Sequence, residues 1–160
     1  MIRDARGEDL QAILAIYNEA VLSTTATFDT EPRTPQEQEA WLRKHGPEYP
    51  VLVLEQEGRP IGWASLSPYS DRKAYAGTVE DSIYITEACR GKGAGTALLA
   101  ALIARARQTG RHAIVAKIAQ DNPASMKLHA AAGFETIGTL REVGLKFGML
   151  LDVHLLELLL

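Results

Sequence analysis

The sequence predicts a mixed α/β fold in one domain covering residues 1–160. Three observations lead there. Apolar residues recur at helical spacing in some segments and cluster as β-branched runs in others. These segments follow one another as two helices, a hairpin and a strand, then helix, strand, helix, strand. No linker, internal repeat or low-complexity stretch divides the 160 residues, a length that suits one ordinary hydrophobic core.

Leu10, Ile13, Leu14, Tyr17, Ala20 and Val21 lie on one face of a helix that starts after Asp9. Thr34-Pro35-Gln36-Glu37 reads as a second helix start. Thr34 caps, Pro35 takes the first helical position, and Glu37 completes a capping box. Trp41 and Leu42 are its expected core face, and Gly46-Pro47 ends it. Val51–Glu55 and Ile61–Leu66 flank Glu57-Gly58-Arg59-Pro60, a hairpin signature. Val79, Ile83 and Ile85 make Thr78–Thr86 a strand. A helix from about Ala94 carries the stripe Leu98, Leu99, Leu102, Ile103 and Ala106, and Gly110 closes it. Ala113–Ile118 reads as a buried strand. Asn122-Pro123 starts a short helix that Gly133-Phe134 stops, and strand-like stretches follow, including Leu151–Leu159. The Leu-rich tail from Met149 to Leu160 falls short of the roughly 20 apolar residues of a membrane span. Asp152, His154 and Glu157 interrupt it, so it reads as a buried strand.

Apolar residues make up 46% and charged residues 23%, with a net charge of −3. That balance argues against a nucleic-acid partner, which needs clustered Lys and Arg. The one cysteine, Cys89, forms no intrachain disulfide and offers no cysteine-based metal site. His45, His112 and His154 lack partners at metal-ligand spacing, so no metal is expected. Met1-Ile2-Arg3-Asp4 is not followed by the apolar segment of a signal peptide. The expectation is a cytoplasmic protein without a membrane partner.

Between the Thr78–Thr86 strand and the following helix stands Arg90-Gly91-Lys92-Gly93-Ala94-Gly95. Exposed amides and the positive end of a helix dipole favour an anion at such a junction. Glycines let the backbone approach a phosphate closely. The spacing is not G-x-G-x-x-G, because Ala97 follows Thr96, and Thr86 stands where a Walker loop needs its first glycine. A cofactor pyrophosphate is the favoured occupant. A plain surface turn that starts a helix is the alternative.

Arg90-x-x-Gly93-x-Gly95, followed later by Asn122 and Gly133-Phe134, resembles the acyl-CoA loop and the later motif of the GNAT acetyltransferase superfamily. Three further segments are similar to its phosphinothricin and methionine sulfoximine/sulfone acetyltransferase branch. They are Thr27–Pro32, Tyr75–Ile85 and Val143–Gly148. The resemblance implies one acetyltransferase domain with a mixed, mostly antiparallel central sheet flanked by helices. It implies acetyl-CoA as co-substrate, a small-molecule amine as acceptor, and a homodimer. Ile83, Tyr84 and Ile85 would run beside the pantetheine arm, while Arg90, Gly91, Lys92, Gly93, Ala94, Gly95 and Thr96 hold the pyrophosphate and Asn122 contacts the cofactor. Phe28, Arg72, Tyr75, Glu80 and Ser82 would face the acceptor. The chain departs from the branch near Met149–Leu150, where an aromatic residue is usual.

Acetyl transfer to an amine requires loss of the amine proton, polarisation of the thioester carbonyl and protonation of the departing thiolate. The resemblance makes Glu80 the base, directly or through a water; a solvated strand glutamate is the bland alternative. His129 lies seven residues after Asn122, on about the same helix face, where many GNAT enzymes carry a tyrosine acid. Its imidazole is a candidate acid, as is Tyr84, and either is equally compatible with a packing role. Three other functions remain open from the sequence. They are acetylation of a polyamine, arylalkylamine or protein N-terminus, a non-catalytic CoA-binding module, and a nucleotide-binding regulator.

Overall fold

The computed structural model describes all 160 residues, Met1–Leu160. Seven strands form one sheet: β1 (Ile2–Asp4), β2 (Val51–Gln56), β3 (Arg59–Pro68), β4 (Thr78–Ile85), β5 (Ala113–Ala119), β6 (Glu135–Lys146) and β7 (Met149–Leu159). The helices are α1 (Leu10–Ser23), α2 (Pro35–Arg43), α3 (Ala94–Gln108) and α4 (Pro123–Ala131). The sheet order is β1-β2-β3-β4-β5-β7-β6. Neighbours are antiparallel except β4 and β5, which are parallel. The mixed, mostly antiparallel sheet flanked by helices is therefore the observed architecture.

Strand alternation sorts the core into two layers. On one face α1 and α2 cover Val51, Val53 and Trp63, with Ile13, Ile16, Tyr17 and Val21 against them. On the other face α3 lays its stripe Leu98, Leu99, Leu102, Ile103 and Ala106 on Leu52, Ala64, Leu66, Val79 and Ile114. At about 25 cal/mol per Å² of apolar surface, burying each of these large side chains stabilises the fold by about 1.5–3 kcal/mol.

Local signals decide the ends of several elements. Thr34 Oγ1 accepts from the Glu37 amide at 3.2 Å and Glu37 Oε2 accepts from the Thr34 amide at 2.8 Å, so the capping box forms. The hairpin turn is tighter than the four residues expected. Glu57 (φ 51°) and Gly58 (φ 75°) alone connect β2 to β3, as a primed two-residue turn requires. Arg59 and Pro60 already belong to β3, beside a register shift at Leu54/Glu55.

The structure corrects three expectations. Gln38 is the fully buried residue of α2, whereas Trp41 and Leu42 are only partly buried against the α1 layer. Arg33 makes this tolerable by donating to Gln38 Oε1 at 3.1 Å. The tail strand β7 is interior in the sheet but only partly buried. Leu151, Val153 and Leu156 are buried and Leu159 is 60% exposed. Lys117 also breaks the buried run expected of Ala113–Ile118, because it faces the cleft. β1 has three residues, too few to carry a periodic pattern in the sequence.

Candidate active site

The parallel pairing of β4 with β5 is short. It joins Thr78, Glu80 and Val79 to Ala113, Val115 and Ile114, and then stops. Beyond it the strands part, each still bonded to its outer neighbour, β3 or β7. Residues from Asp81 on one side and Ala116 on the other thus line a cleft of about 280 Å³ with unpaired strand edges. Thr25–Phe28 and the start of α4 complete its walls. Unpaired strand edges in a cleft present amides and carbonyls to an extended, amide-bearing ligand.

At the end of β4 the chain makes a 3₁₀ turn, Glu87–Cys89, and enters the glycine loop. Gly91 (φ 73°) and Gly93 (φ 85°) occupy the left-handed region, and open space surrounds the position of a Cβ on either. Gly95 serves packing: a Cβ there would meet Leu128 at 3.2 Å, so α3 and α4 approach closely at this point. The first helical bond of α3 runs from the Ala97 amide to the Gly93 carbonyl. The amides of Ala94, Gly95 and Thr96 consequently have no partner within the helix and point out of its N-terminus. The two cations of the loop turn back on the backbone instead. Arg90 donates to the Ile85 carbonyl and to Glu19, and Lys92 to the Ala88 carbonyl. Glu19 also accepts from Thr86 and the Glu87 amide, tying α1 to the loop.

Glu80 and Lys117 sit diagonally across the last β4–β5 pair and form an ion pair of 2.8 Å, with side chains 28% and 46% exposed. Asp81 points through the opposite face of the sheet. Its Oδ2 lies 2.9 Å from His129 Nε2, and this pair is buried. The second imidazole nitrogen, Nδ1, lies 2.8 Å from the Ser125 carbonyl. Burial alone would lower the imidazole pKa. The Asp81 hydrogen bond and charge, helped by the Ser125 carbonyl, outweigh burial and leave it raised. Both nitrogens thus face acceptors, which suits the imidazolium. Asp81 Oδ1 remains buried without a partner.

Tyr84 lines the cleft and packs on Trp63 (4.8 Å between centroids) and edge-on to Tyr17 (5.2 Å). Burial pushes its phenol above the ordinary range, so it stays protonated. Asn122 caps α4 by accepting from the Ser125 amide at 3.1 Å and also lines the cleft, so capping and cofactor contact are compatible at that position. Ser82, Ile83 and Phe28 line it as well. The Phe28 ring lies over Gly144, where a Cβ would come within 2.2 Å of it.

A profile of the Acetyltransferase (GNAT) family matches residues 13–134, more than half of the chain. The chain belongs to the GNAT acetyltransferase family. It is 44% identical over 98% of its length to the L-methionine sulfoximine/L-methionine sulfone acetyltransferase of Pseudomonas aeruginosa, covering 92% of that protein. It is 42% identical over 95% of its length to the phosphinothricin N-acetyltransferase of Streptomyces coelicolor, covering 91% of it. Among solved structures, a GNAT phosphinothricin acetyltransferase of Sinorhizobium meliloti in complex with AcCoA superposes with a TM-score of 0.97 and 38% identity. The match covers 100% of this chain and 88% of that one.

Within this GNAT fold the expected residues divide. Phe28, Glu80, Ser82, Ile83, Tyr84, Asn122 and His129 meet around one cleft. Ile85 and the loop from Arg90 to Thr96 continue from its β4 edge. Arg72 and Tyr75 do not line it; both are exposed, and Tyr75 stacks edge-on with Tyr69 at 5.3 Å. Met149 and Leu150 are exposed on the β6–β7 hairpin and do not line it either. Sequence reasoning missed Lys117 and Asp81, the partners of Glu80 and His129. It also missed the residues that pin the Thr25–Phe28 wall. Lys146 Nζ donates to the Thr27 carbonyl at 2.7 Å, Tyr17 Oη meets Thr27 Oγ1 at 2.9 Å, and Thr25 bonds Asp121. A lysine interrupting a buried strand was the one local signal for Lys117.

Proposed function

We propose that residues 1–160 form a single acetyltransferase domain that moves an acetyl group from acetyl-CoA to the amino group of a small amino acid. The acceptor class is that of methionine sulfone, methionine sulfoximine and phosphinothricin, in keeping with the names of the relatives. The observation that carries the reading is the β4–β5 cleft, with free amides at its glycine end and the accessible Glu80 carboxylate at its paired end. The residues present fit coenzyme A. The Gly91–Thr96 backbone would hold the pyrophosphate, the free edge Ile83–Ile85 the pantetheine amides, and Asn122 the arm beside α4. Bound there, acetyl-CoA supplies an activated acyl thioester.

Glu80 takes the proton of the acceptor ammonium, directly or through a water, and exposes the nitrogen lone pair. Tyr84, protonated and lining the cleft, supplies a proton to the departing sulfur. His129 has both nitrogens committed and acts as a positioning residue, fastening α4 to β4 on the cofactor side of the cleft. The exposed apolar side chains of the β6–β7 hairpin, Val143, Leu145, Phe147 and Leu150, support a homodimer formed through that hairpin, which sedimentation velocity checks. The free Cys89 accords with a reducing, cytoplasmic setting, and no helix is long and apolar enough to cross a membrane.

Thiol release from acetyl-CoA, measured against the three analogues, ordinary amino acids, polyamines and short peptides, tests the proposal. Preference for the analogues is expected. Turnover of peptides or polyamines alone would overturn it.

A further inference from the structure

Two acid–base pairs line the cleft, and they differ in access. Asp81–His129 is sealed, with side chains only 2% and 5% exposed. Glu80–Lys117 is open on both partners. A sealed pair keeps its partner; an open pair can exchange it for a ligand. Lys117 is also the only lysine or arginine lining the cleft. Arg72, which the family resemblance would turn toward the acceptor, stays outside. The Lys117 ammonium lies 5.9 Å from the Tyr69 ring centroid, and Tyr69 stacks on Tyr75, so the cation stands between the base and the aromatic pair.

We propose that Lys117 is a specificity-determining residue: its ammonium binds the acceptor's carboxylate while Glu80 beside it receives the acceptor's amine proton. The proposal rests on the reading that the acceptor is an amino acid. An α-amino acid carries an ammonium and a carboxylate on adjacent carbons, and an anion–cation pair 2.8 Å apart is its electrostatic complement. Docked alongside, the four charges alternate in sign.

The proton balance favours the same arrangement. When Glu80 takes the proton, an N–H bond of the acceptor breaks, a carboxyl O–H bond forms and Glu80 becomes neutral. Lys117 keeps its own proton. Having lost its anionic partner in the protein, it turns its charge to the acceptor carboxylate. The contact therefore strengthens as the amine becomes nucleophilic, and binding of that kind favours reaction over mere occupancy. A simple amine offers no carboxylate and leaves Lys117 paired with Glu80, competing for the base.

The test compares two acceptors that differ only in the carboxylate, methionine sulfone and its decarboxylated amine, in the wild type, Lys117→Met and Lys117→Arg. The readout is the ratio of kcat/KM for the acid to that for the amine. Loss of a charge-assisted contact that strengthens during reaction is expected to lower this ratio about 10- to 100-fold in Lys117→Met, through a lower kcat as well as a higher KM for the acid. Lys117→Arg should recover most of it. An unchanged ratio in Lys117→Met would overturn the proposal. An equal fall for both acceptors would do so too, because Lys117 would then act only on Glu80. Wild-type protein that acetylates the amine but not the acid would overturn the amino-acid reading itself, and the proposal with it.

Discussion

The two ends of the cleft are built from different materials. The glycine end uses backbone: left-handed Gly91 and Gly93, and three amides at the start of α3 that the helix leaves unpaired. Its two cations are occupied elsewhere, Arg90 on Ile85 and Glu19, Lys92 on Ala88. The paired end uses side chains from separate elements: Glu80 from β4, Lys117 from β5 and Phe28 from the segment after α1. A backbone site reads a group shared by every acyl-CoA, so side-chain identity matters little there. A side-chain site can be retuned one residue at a time. Under the proposed function, donor recognition would rest on local conformation and acceptor choice on tertiary contacts.

The sharpest way to break this division is Glu80→Gln. With Glu80 as base, kcat should fall about 10²- to 10⁴-fold, while acetyl-CoA still raises the melting temperature. Thiol-release kinetics and thermal melts check both halves. Retained turnover would remove Glu80 from the chemistry.

Gly93→Ala probes the other end. A Cβ at φ 85° costs about 1–2 kcal/mol. KM for acetyl-CoA should rise about 10-fold with little change in KM for the acceptor. Equal changes in both would mean that the two ends are not separable.

The smallest effect belongs to the sealed pair, which holds α4 against β4 between the two ends. His129 has a raised pKa in the folded protein, so its ion pair with Asp81 contributes fully below the unfolded value of about 6.5. That contribution is lost as pH rises through the raised, folded value. Asp81→Asn should therefore destabilise the protein by about 1 kcal/mol near pH 6, and by less near pH 9. Denaturant unfolding of both proteins at the two pH values checks it, and a gap that widened with pH would contradict the assignment.

How much could be read beforehand follows the same line. The Thr34–Glu37 box, the α3 stripe and the Asn122 cap all depend on neighbours within a few residues, and each formed where the sequence indicated. Gln38 did not follow the pattern, because its burial depends on Arg33 and on the packing of α2 against α1. The site partners were harder still. Asp81 and His129 are 48 residues apart, Thr25 and Asp121 96, and Thr27 and Lys146 119. No local pattern links residues across such separations.

The sequence alone determined the strand–glycine loop–helix junction and its aptitude for an anion, because backbone conformation and helix dipoles arise from residues adjacent in the chain. The tertiary structure decided where β4 and β5 part, which cation stands beside Glu80, and that Arg72 lies outside the cleft. Those outcomes depend on how the sheet's strands pair and splay. Side chains far apart in sequence meet only after that pairing is complete.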